Sequence, residues 1–193
     1  MDTIKEAFSQ LCKTIYFDEK ENLREKFSDR AKAKAFIDEV EQHIQMLQEN
    51  NLYNKEEIYF LYGVLGNCYR IDGRPLQAIH YLTLALALAM EEGNAAKRAV
   101  CMIRLGEAFK YNNDHEKALK KFTEALKVII ENALDLYKDF ALQHKGKCFI
   151  EMNRWDEAEQ CFLEALTMRQ AKGIPSLIES TQQALAFVDK QRY

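Results

Sequence analysis

Three glycines, Gly66, Gly106 and Gly146, stand 40 residues apart, and their surroundings repeat with them. Three positions after each glycine comes an aromatic residue: Tyr69, Phe109 and Phe149. Seven positions after comes Gly73, Asn113 or Asn153, residue types that adopt a positive φ more readily than most. Alanine follows at twelve positions (Ala78, Ala118, Ala158) and again at nineteen (Ala85, Ala125, Ala165), with Leu82, Phe122 and Phe162 between them. Self-similarity at a fixed period of this size marks stacked copies of one supersecondary unit, each too small to bury its apolar face alone. Only 2 prolines and 7 glycines occur in 193 residues, so the unit is read as helical.

Each unit reads as two antiparallel helices. In the first unit, one helix covers roughly residues 55–71 and carries Gly66 and Tyr69, and Asp72-Gly73 turns the chain. A second helix then runs from about Arg74 to Glu92 and stops at Gly93. Gly173 ends the third unit at the position equivalent to Gly93, as a helix C-cap. Asp114, after the Asn112-Asn113 turn, is the expected N-cap of its second helix. Small Gly and Ala side chains let the two helices approach closely, and the aromatic is expected to fill the space beside them.

These residues resemble the tetratricopeptide repeat family, whose pattern is Trp-x2-Leu-Gly-x2-Tyr, then Ala-x3-Phe-x2-Ala, then Pro, within 34 residues. Leu65-Gly66-x2-Tyr69 and Leu105-Gly106-x2-Phe109 follow it, while Lys145-Gly146-x2-Phe149 departs at the Leu position. The Trp position holds Tyr62, Met102 and Leu142, and the closing Pro position holds Met90, Ile130 and Gln170. The missing Pro fits the longer period, because six extra residues lengthen each helix by roughly one turn. This long form is similar to the repeats of Rap-type peptide-sensing regulators and of kinesin light chains. The resemblance implies an all-α fold, a right-handed superhelical array of antiparallel helix pairs.

Three repeats are placed at about 54–93, 94–133 and 134–173, within a repeat domain of residues 54–173. Residues 1–53 read as N-terminal helices, a degenerate repeat, a cap or a dimerisation element. Ile4, Phe8, Leu11 and Ile15 form one apolar stripe there, and Phe36, Val40, Ile44 and Leu47 form a second. Residues 174–193 read as a C-terminal capping helix carrying Leu177, Ile178, Leu185 and Val188. The apolar run Ala78 to Met90 is expected to pack against the N-terminal helices.

Lys and Arg total 27 against 30 Asp and Glu, so the net charge of −3 offers no basic stripe to a nucleic acid. The Ala78–Met90 run is far short of the roughly 20 residues that span a bilayer, and the N-terminus has no signal-peptide core. Five cysteines without CxxC spacing suggest free thiols in a reducing cytoplasm. Cys68 and Cys148 share a column with Ala108, which makes them small core residues. His43, His80, His115 and His144 are scattered, and no phosphate-binding loop, metal spacing or nucleophile motif occurs. The chain is therefore read as non-enzymatic, cytoplasmic, and without cofactor or metal.

In the family's architecture the first helix of each pair lines a concave wall. The inward columns are expected at −3, −2, +1, +4 and +5 from each glycine. They offer Asn67, Arg70, Arg104, Glu107, Tyr111, Gln143 and Lys147 as candidate ligand-binding residues of the groove. Amides there suit an extended peptide's backbone and cations suit a carboxylate. The family's clamp for acidic chaperone tails is matched clearly only by Asn67: Gly63 lacks the Lys, Glu107 replaces an Asn, and Gln143 with Lys147 is a partial match at most. The leading reading is a protein- or peptide-binding adaptor or regulator, a signalling-peptide receptor being one version. The alternatives are an immunity protein or secretion chaperone that neutralises a folded partner through a broad helical surface, and a homo-oligomer assembled through the N-terminal helices. Neither nucleic acid nor membrane is expected as a partner.

Overall fold

The structure is a computed structural model and describes residues 1–52 and 54–192. In chain order the elements are α1 (Asp2–Cys12), β1 (Ile15–Asp18), β2 (Arg24–Phe27), α2 (Arg30–Glu49), α3 (Lys55–Ile71), α4 (Pro75–Glu91), α5 (Ala95–Tyr111), α6 (His115–Glu131), α7 (Lys138–Glu151), α8 (Trp155–Lys172) and α9 (Pro175–Arg192). Single 3₁₀ turns precede α7 and join the two strands. Helices α3/α4, α5/α6 and α7/α8 are the three antiparallel pairs, and α9 packs on α8 as the next helix of the stack. Among the described residues, no helix is long and apolar enough to cross a membrane.

The repeat columns map onto specific contacts. A Cβ added at Gly106 would lie 2.5 Å from Cε1 of Phe122, and one at Gly146 would lie 2.6 Å from Cε1 of Phe162. The ring sixteen positions later thus rests on the glycine backbone, with Leu82 taking that place over Gly66. Ala78, Ala118, Ala158, Ala85, Ala125 and Ala165 are all fully buried. The +3 aromatics were expected to fill the gap beside the glycines. Tyr69 does so, stacked on Tyr81 of α4 with centroids 5.6 Å apart; Tyr69 and Phe149 are both buried, and Arg74 and Arg154 lie 4.4 and 4.6 Å from their ring centroids.

The turns repeat as faithfully. Gly73, Asn113 and Asn153 have φ of 80°, 61° and 56°. In each turn the next residue's N–H reaches back five positions: Arg74 to the Tyr69 carbonyl, Asp114 to Phe109, Arg154 to Phe149. This is the bond of a Schellman ending, which satisfies a helix carbonyl that would otherwise be orphaned. Asn54 and Asn94 cap α3 and α5 by accepting backbone N–H bonds. Asp114 occupies the N-cap position of α6 but forms no side-chain cap bond; its carboxylate accepts from Asn112 Nδ2 at 2.9 Å instead.

Three buried clusters run through the stack. The N-terminal one joins Ile4, Leu11, Phe36, Val40, Ile44 and Leu47 to α3 and α4; α2 packs on α3, and α4 reaches α2 through the Tyr81 hydroxyl rather than along its apolar run. Phe8 stacks on Phe36, and Glu41 of α2 accepts from the hydroxyls of Tyr69 and Tyr81. At the other end Arg169 of α8 is almost wholly buried, donating to Asp139 (2.9 Å), Thr181 Oγ1 (2.8 Å) and the Leu177 carbonyl (3.1 Å). That single side chain ties α7, α8 and α9 together.

Residues 1–53 are not only helices. The stripe beginning at Ile4 ends with α1 at Cys12, and Ile15 opens β1. Thr14 turns the chain by bonding the Leu11 carbonyl with both its N–H and its hydroxyl. β1 and β2 then form an antiparallel hairpin, with Phe17 opposite Glu25 and Asp18 opposite Arg24. Ile15-Tyr16-Phe17 is a β-branched and aromatic run, which favours a strand over a helix end.

The glycine contact gives a direct test. Ala is a better helix former than Gly by about 1 kcal/mol, yet a Cβ at position 106 collides with a ring that is itself fully buried. Overpacking of a tight core costs about 1–3 kcal/mol and wins. Gly106→Ala is expected to lower unfolding free energy in urea by up to about 2 kcal/mol, and adding Phe122→Leu is expected to restore part of the loss.

Candidate functional site: a concave groove half filled by a hairpin

The first helices of the pairs, α3, α5 and α7, lie side by side and form the groove floor. Their C-terminal halves carry Arg70, Lys110, Tyr111, Lys147 and Glu151. The β1–β2 hairpin is docked on this half. Arg24 donates from Nε and Nη2 to Glu151 at 2.9 and 2.6 Å, and from Nη2 to the Lys110 carbonyl at 3.0 Å and Asn113 Oδ1 at 2.8 Å. Glu25 receives Arg70 Nη2 at 2.6 Å. The backbone of Glu25 meets Tyr111 twice: its N–H donates to the hydroxyl, and its carbonyl accepts from it at 3.4 Å. Lys147 Nζ sits over the Phe17 ring, 3.9 Å from the centroid. Leu23 at the hairpin tip enters a cluster with Leu142, Phe149, Ile150 and Phe187.

The candidate residues therefore separate into two sets. Arg70, Tyr111 and Lys147 were expected to face an open groove, and they are instead buried at the hairpin, with Glu107 buried beside them. The reason is that the chain supplies its own extended segment to this half of the wall. Gln143 is also buried, and neither polar atom of its amide has a hydrogen-bond partner among the described residues. Asn67 and Arg104 remain accessible. They line a cavity of about 240 Å³ at the N-terminal half of the groove, together with Val100, Ile103, Glu107, Tyr137, Phe140 and His144.

Arg104 is the cation of this open stretch. Among the described residues it forms no ion pair or hydrogen bond. Its Nη1 lies where a Cβ on residue 63 would be, 2.8 Å away, so Gly63 makes room for the guanidinium. Asn67 accepts from Arg70 Nη2 at 2.7 Å. Glu107 links the two halves: its Oε1 is 3.4 Å from Arg70 Nη1 and 3.0 Å from Nδ1 of His144.

The electrostatics follow from burial and pairing. Burial alone would lower the pKa of Arg70, but Glu107 and Glu25 outweigh it and raise the pKa. Burial opposes ionisation of Glu107 and Glu25, yet Arg70 holds both below the usual carboxylate range. Lys147 goes the other way: burial, only partly offset by Glu25, brings it down to about 8. Burial likewise pushes the Cys148 thiol up to about 12 and raises that of Cys68, so neither carries a nucleophilic thiolate at neutral pH. These are core thiols, as their shared column with Ala108 suggested.

Sequence reasoning missed the occupants, Phe17, Leu23, Arg24 and Glu25, whose signal was the Ile15-Tyr16-Phe17 run. It also missed Val100 and Phe140, which stand six positions before Gly106 and Gly146, one turn beyond the columns considered.

The depressed pKa of Lys147 has a signed consequence. Its folded value of about 8 lies below the ordinary 10.5, so between these the unfolded chain binds more protons than the folded one. Stability contributed through this group therefore rises with pH across that window. The buried thiols and tyrosines act oppositely, so the comparison must be made against Lys147→Met. The wild-type chain is expected to gain stability relative to that variant as the pH rises from 8 toward 10 in parallel urea titrations.

Comparison with known proteins agrees with this architecture. The photosystem I assembly protein Ycf3 of Acaryochloris marina (strain MBIC 11017) is 31% identical over 109 residues, 56% of this chain and 64% of that protein. A Rap protein complexed with Competence and Sporulation Factor superposes with a TM-score of 0.72 at 16% identity, over 84% of this chain and 45% of that one. NprR in complex with its cognate peptide NprX superposes with a TM-score of 0.68 at 19% identity, over 84% and 46%. The chain thus spans less than two thirds of each of these relatives. Tetratricopeptide repeat family models match residues 57–131 and 141–176. Together they cover more than half of the chain, which belongs to the tetratricopeptide repeat family.

Proposed function

We propose that this chain is a non-catalytic adaptor or regulator that binds a peptide or protein segment in the open stretch of its concave groove. The observation that carries this reading is Arg104, a guanidinium that has no carboxylate partner among the described residues and lines a mostly apolar cavity. Such a group is suited to a carboxylate of the ligand through a charge-assisted pair. Val100, Ile103, Tyr137 and Phe140 offer walls for an apolar side chain beside it, and Asn67 and His144 offer polar partners for an extended backbone. Two of the structural neighbours support a binding role, since one holds a cognate peptide and the other a named factor. The assembly role named for Ycf3 supports it as well. Five unpaired cysteines suit a reducing compartment, and the cytoplasm is the proposed location.

Arg104→Glu reverses the charge of the site, and its folding is checked by circular dichroism and a urea titration before capture. Capture from native lysate on wild-type chain, Arg104→Glu and the convex-surface control Lys120→Glu reads the site directly. A partner retained by wild type and control but lost at least tenfold on Arg104→Glu is the expected result. Equal recovery on all three would place binding outside this stretch.

A further inference from the structure

The half of the groove under the hairpin carries chemistry that a plug does not need. Arg70, Lys110, Lys147 and Glu151 are charged side chains of the repeat helices, and all are buried there. A permanent lid on helices would be held best by apolar contacts, because buried ion pairs gain little over an apolar replacement. This lid has apolar anchors in Leu23 and Phe27, and it is held as well by paired charges and by a two-way exchange between the Glu25 backbone and Tyr111. That is how a groove reads an extended segment of chain: main-chain bonds from a side chain on the wall, and charge pairs for selected side chains.

We propose that this half of the groove is a binding site for an extended segment of a partner, one that presents an apolar, a basic and an acidic residue in succession. The chain's own Leu23-Arg24-Glu25 fills it in the partner's absence. The inference rests on the reading that the groove receives a partner, and it names the partner's chemistry. Each position has a receiving group. The apolar residue enters the cluster of Leu142, Phe149, Ile150 and Phe187. The basic residue takes Glu151 and the carbonyl of Lys110. The acidic residue takes Arg70, with Tyr111 holding its backbone.

Three observations favour exchange over a fixed plug. The resident hairpin has two strands of four residues each, too small to be stable without its docking site. Its tip places two consecutive non-glycine residues, Asn22 and Leu23, at φ of 54° and 61°; such a conformation is unfavourable for an L residue and is relieved on release. The docked half is continuous with the open stretch, because Asn67 and Glu107 line the open cavity and also contact Arg70. A segment bound at Arg104 can therefore extend toward Arg70 and compete with Glu25 for it.

The probe is a fluorescein-labelled peptide of residues 14–28, added in trans to the full-length chain. In the wild-type chain the tethered hairpin holds the site, and weak or no binding is expected. In the full-length Arg24→Ala/Glu25→Ala variant the peptide is expected to bind at least tenfold more tightly. Binding is expected to be lost when the peptide carries the same two substitutions, or when the chain also carries Arg70→Ala. Hydrogen exchange of residues 15–27 in the variant is read alongside. Fast exchange there with no peptide binding would overturn the proposal, and so would unchanged protection, which would mean that the two charge pairs do not hold the hairpin. Should the double variant fail to fold by circular dichroism, Glu25→Gln is measured in its place, with the same outcomes. Arg104 is intact in every one of these chains, so failure of peptide binding leaves the adaptor reading standing. Equal capture on Arg104→Glu would sink that reading and leave this result untouched.

Discussion

The contact between a glycine backbone and the large side chain sixteen residues later sets the geometry from which the rest follows. At Gly106 and Gly146 the partner is a phenylalanine ring, and at Gly66 it is Leu82. Each contact fixes how near the second helix of a pair lies to the first. Because it recurs every 40 residues, each pair presents the next with the same surface. The first helices are thereby held in parallel with a common face turned inward. A groove is the geometric result, whatever its residues are. The Ala columns on the second helices serve the same end, since a larger residue at any of them would separate the pair.

The inward face decides what the groove can hold, and here it is charged beyond what stacking requires. Arg70, Glu107, Lys110, Lys147 and Glu151 could remain hydrated on an open concave wall at little cost. Covering them demands partners, since an unpaired buried charge is strongly destabilising. Arg24 and Glu25 answer that demand at two of the five, and Tyr111 satisfies the strand's backbone between them. Lys147 is answered less well: it is covered by the Phe17 ring, and its pKa falls to about 8 because burial exceeds what Glu25 returns. The hairpin is thus matched to the groove, though incompletely.

The repeat was legible because its constraints are local and periodic. Gly at close approach, Asn or Gly at positive φ, and Ala in the second helix each follow from the sequence alone, and the helix ends at Gly73, Asn113 and Asn153 followed from them. The column arithmetic also put Asn67, Arg104 and Glu107 on the concave wall, and they line the open cavity. What the sequence did not disclose was long-range. Arg24 reaches Glu151 across 127 residues of chain, and no periodicity links the two. A hairpin of two four-residue strands leaves only a short β-prone run, which read as the end of the Ile4 stripe. Asp114 shows the same limit at close range: its position was right for a cap, but the amide of Asn112 competes for the carboxylate.

The two halves of the groove are joined through one carboxylate, and this fixes the sign of their coupling. Glu107 stands between Arg70, which holds Glu25 of the hairpin, and His144, which lines the open cavity. A ligand shifts the hairpin's equilibrium only by as much as it binds the open and closed groove differently. A short ligand confined to the Arg104 end makes nearly the same contacts in both states and leaves the hairpin in place. One that draws Glu107 or Asn67 away from Arg70 loosens the wall on which Glu25 is seated. One that carries its own carboxylate as far as Arg70 gains that pair only when Glu25 has left, so its whole contribution favours the open state. By reciprocity, whatever loosens the hairpin strengthens binding of the long ligand by the same factor and leaves the short one unaffected. Length along the groove, more than affinity at Arg104, is therefore what would decide whether a bound segment opens it.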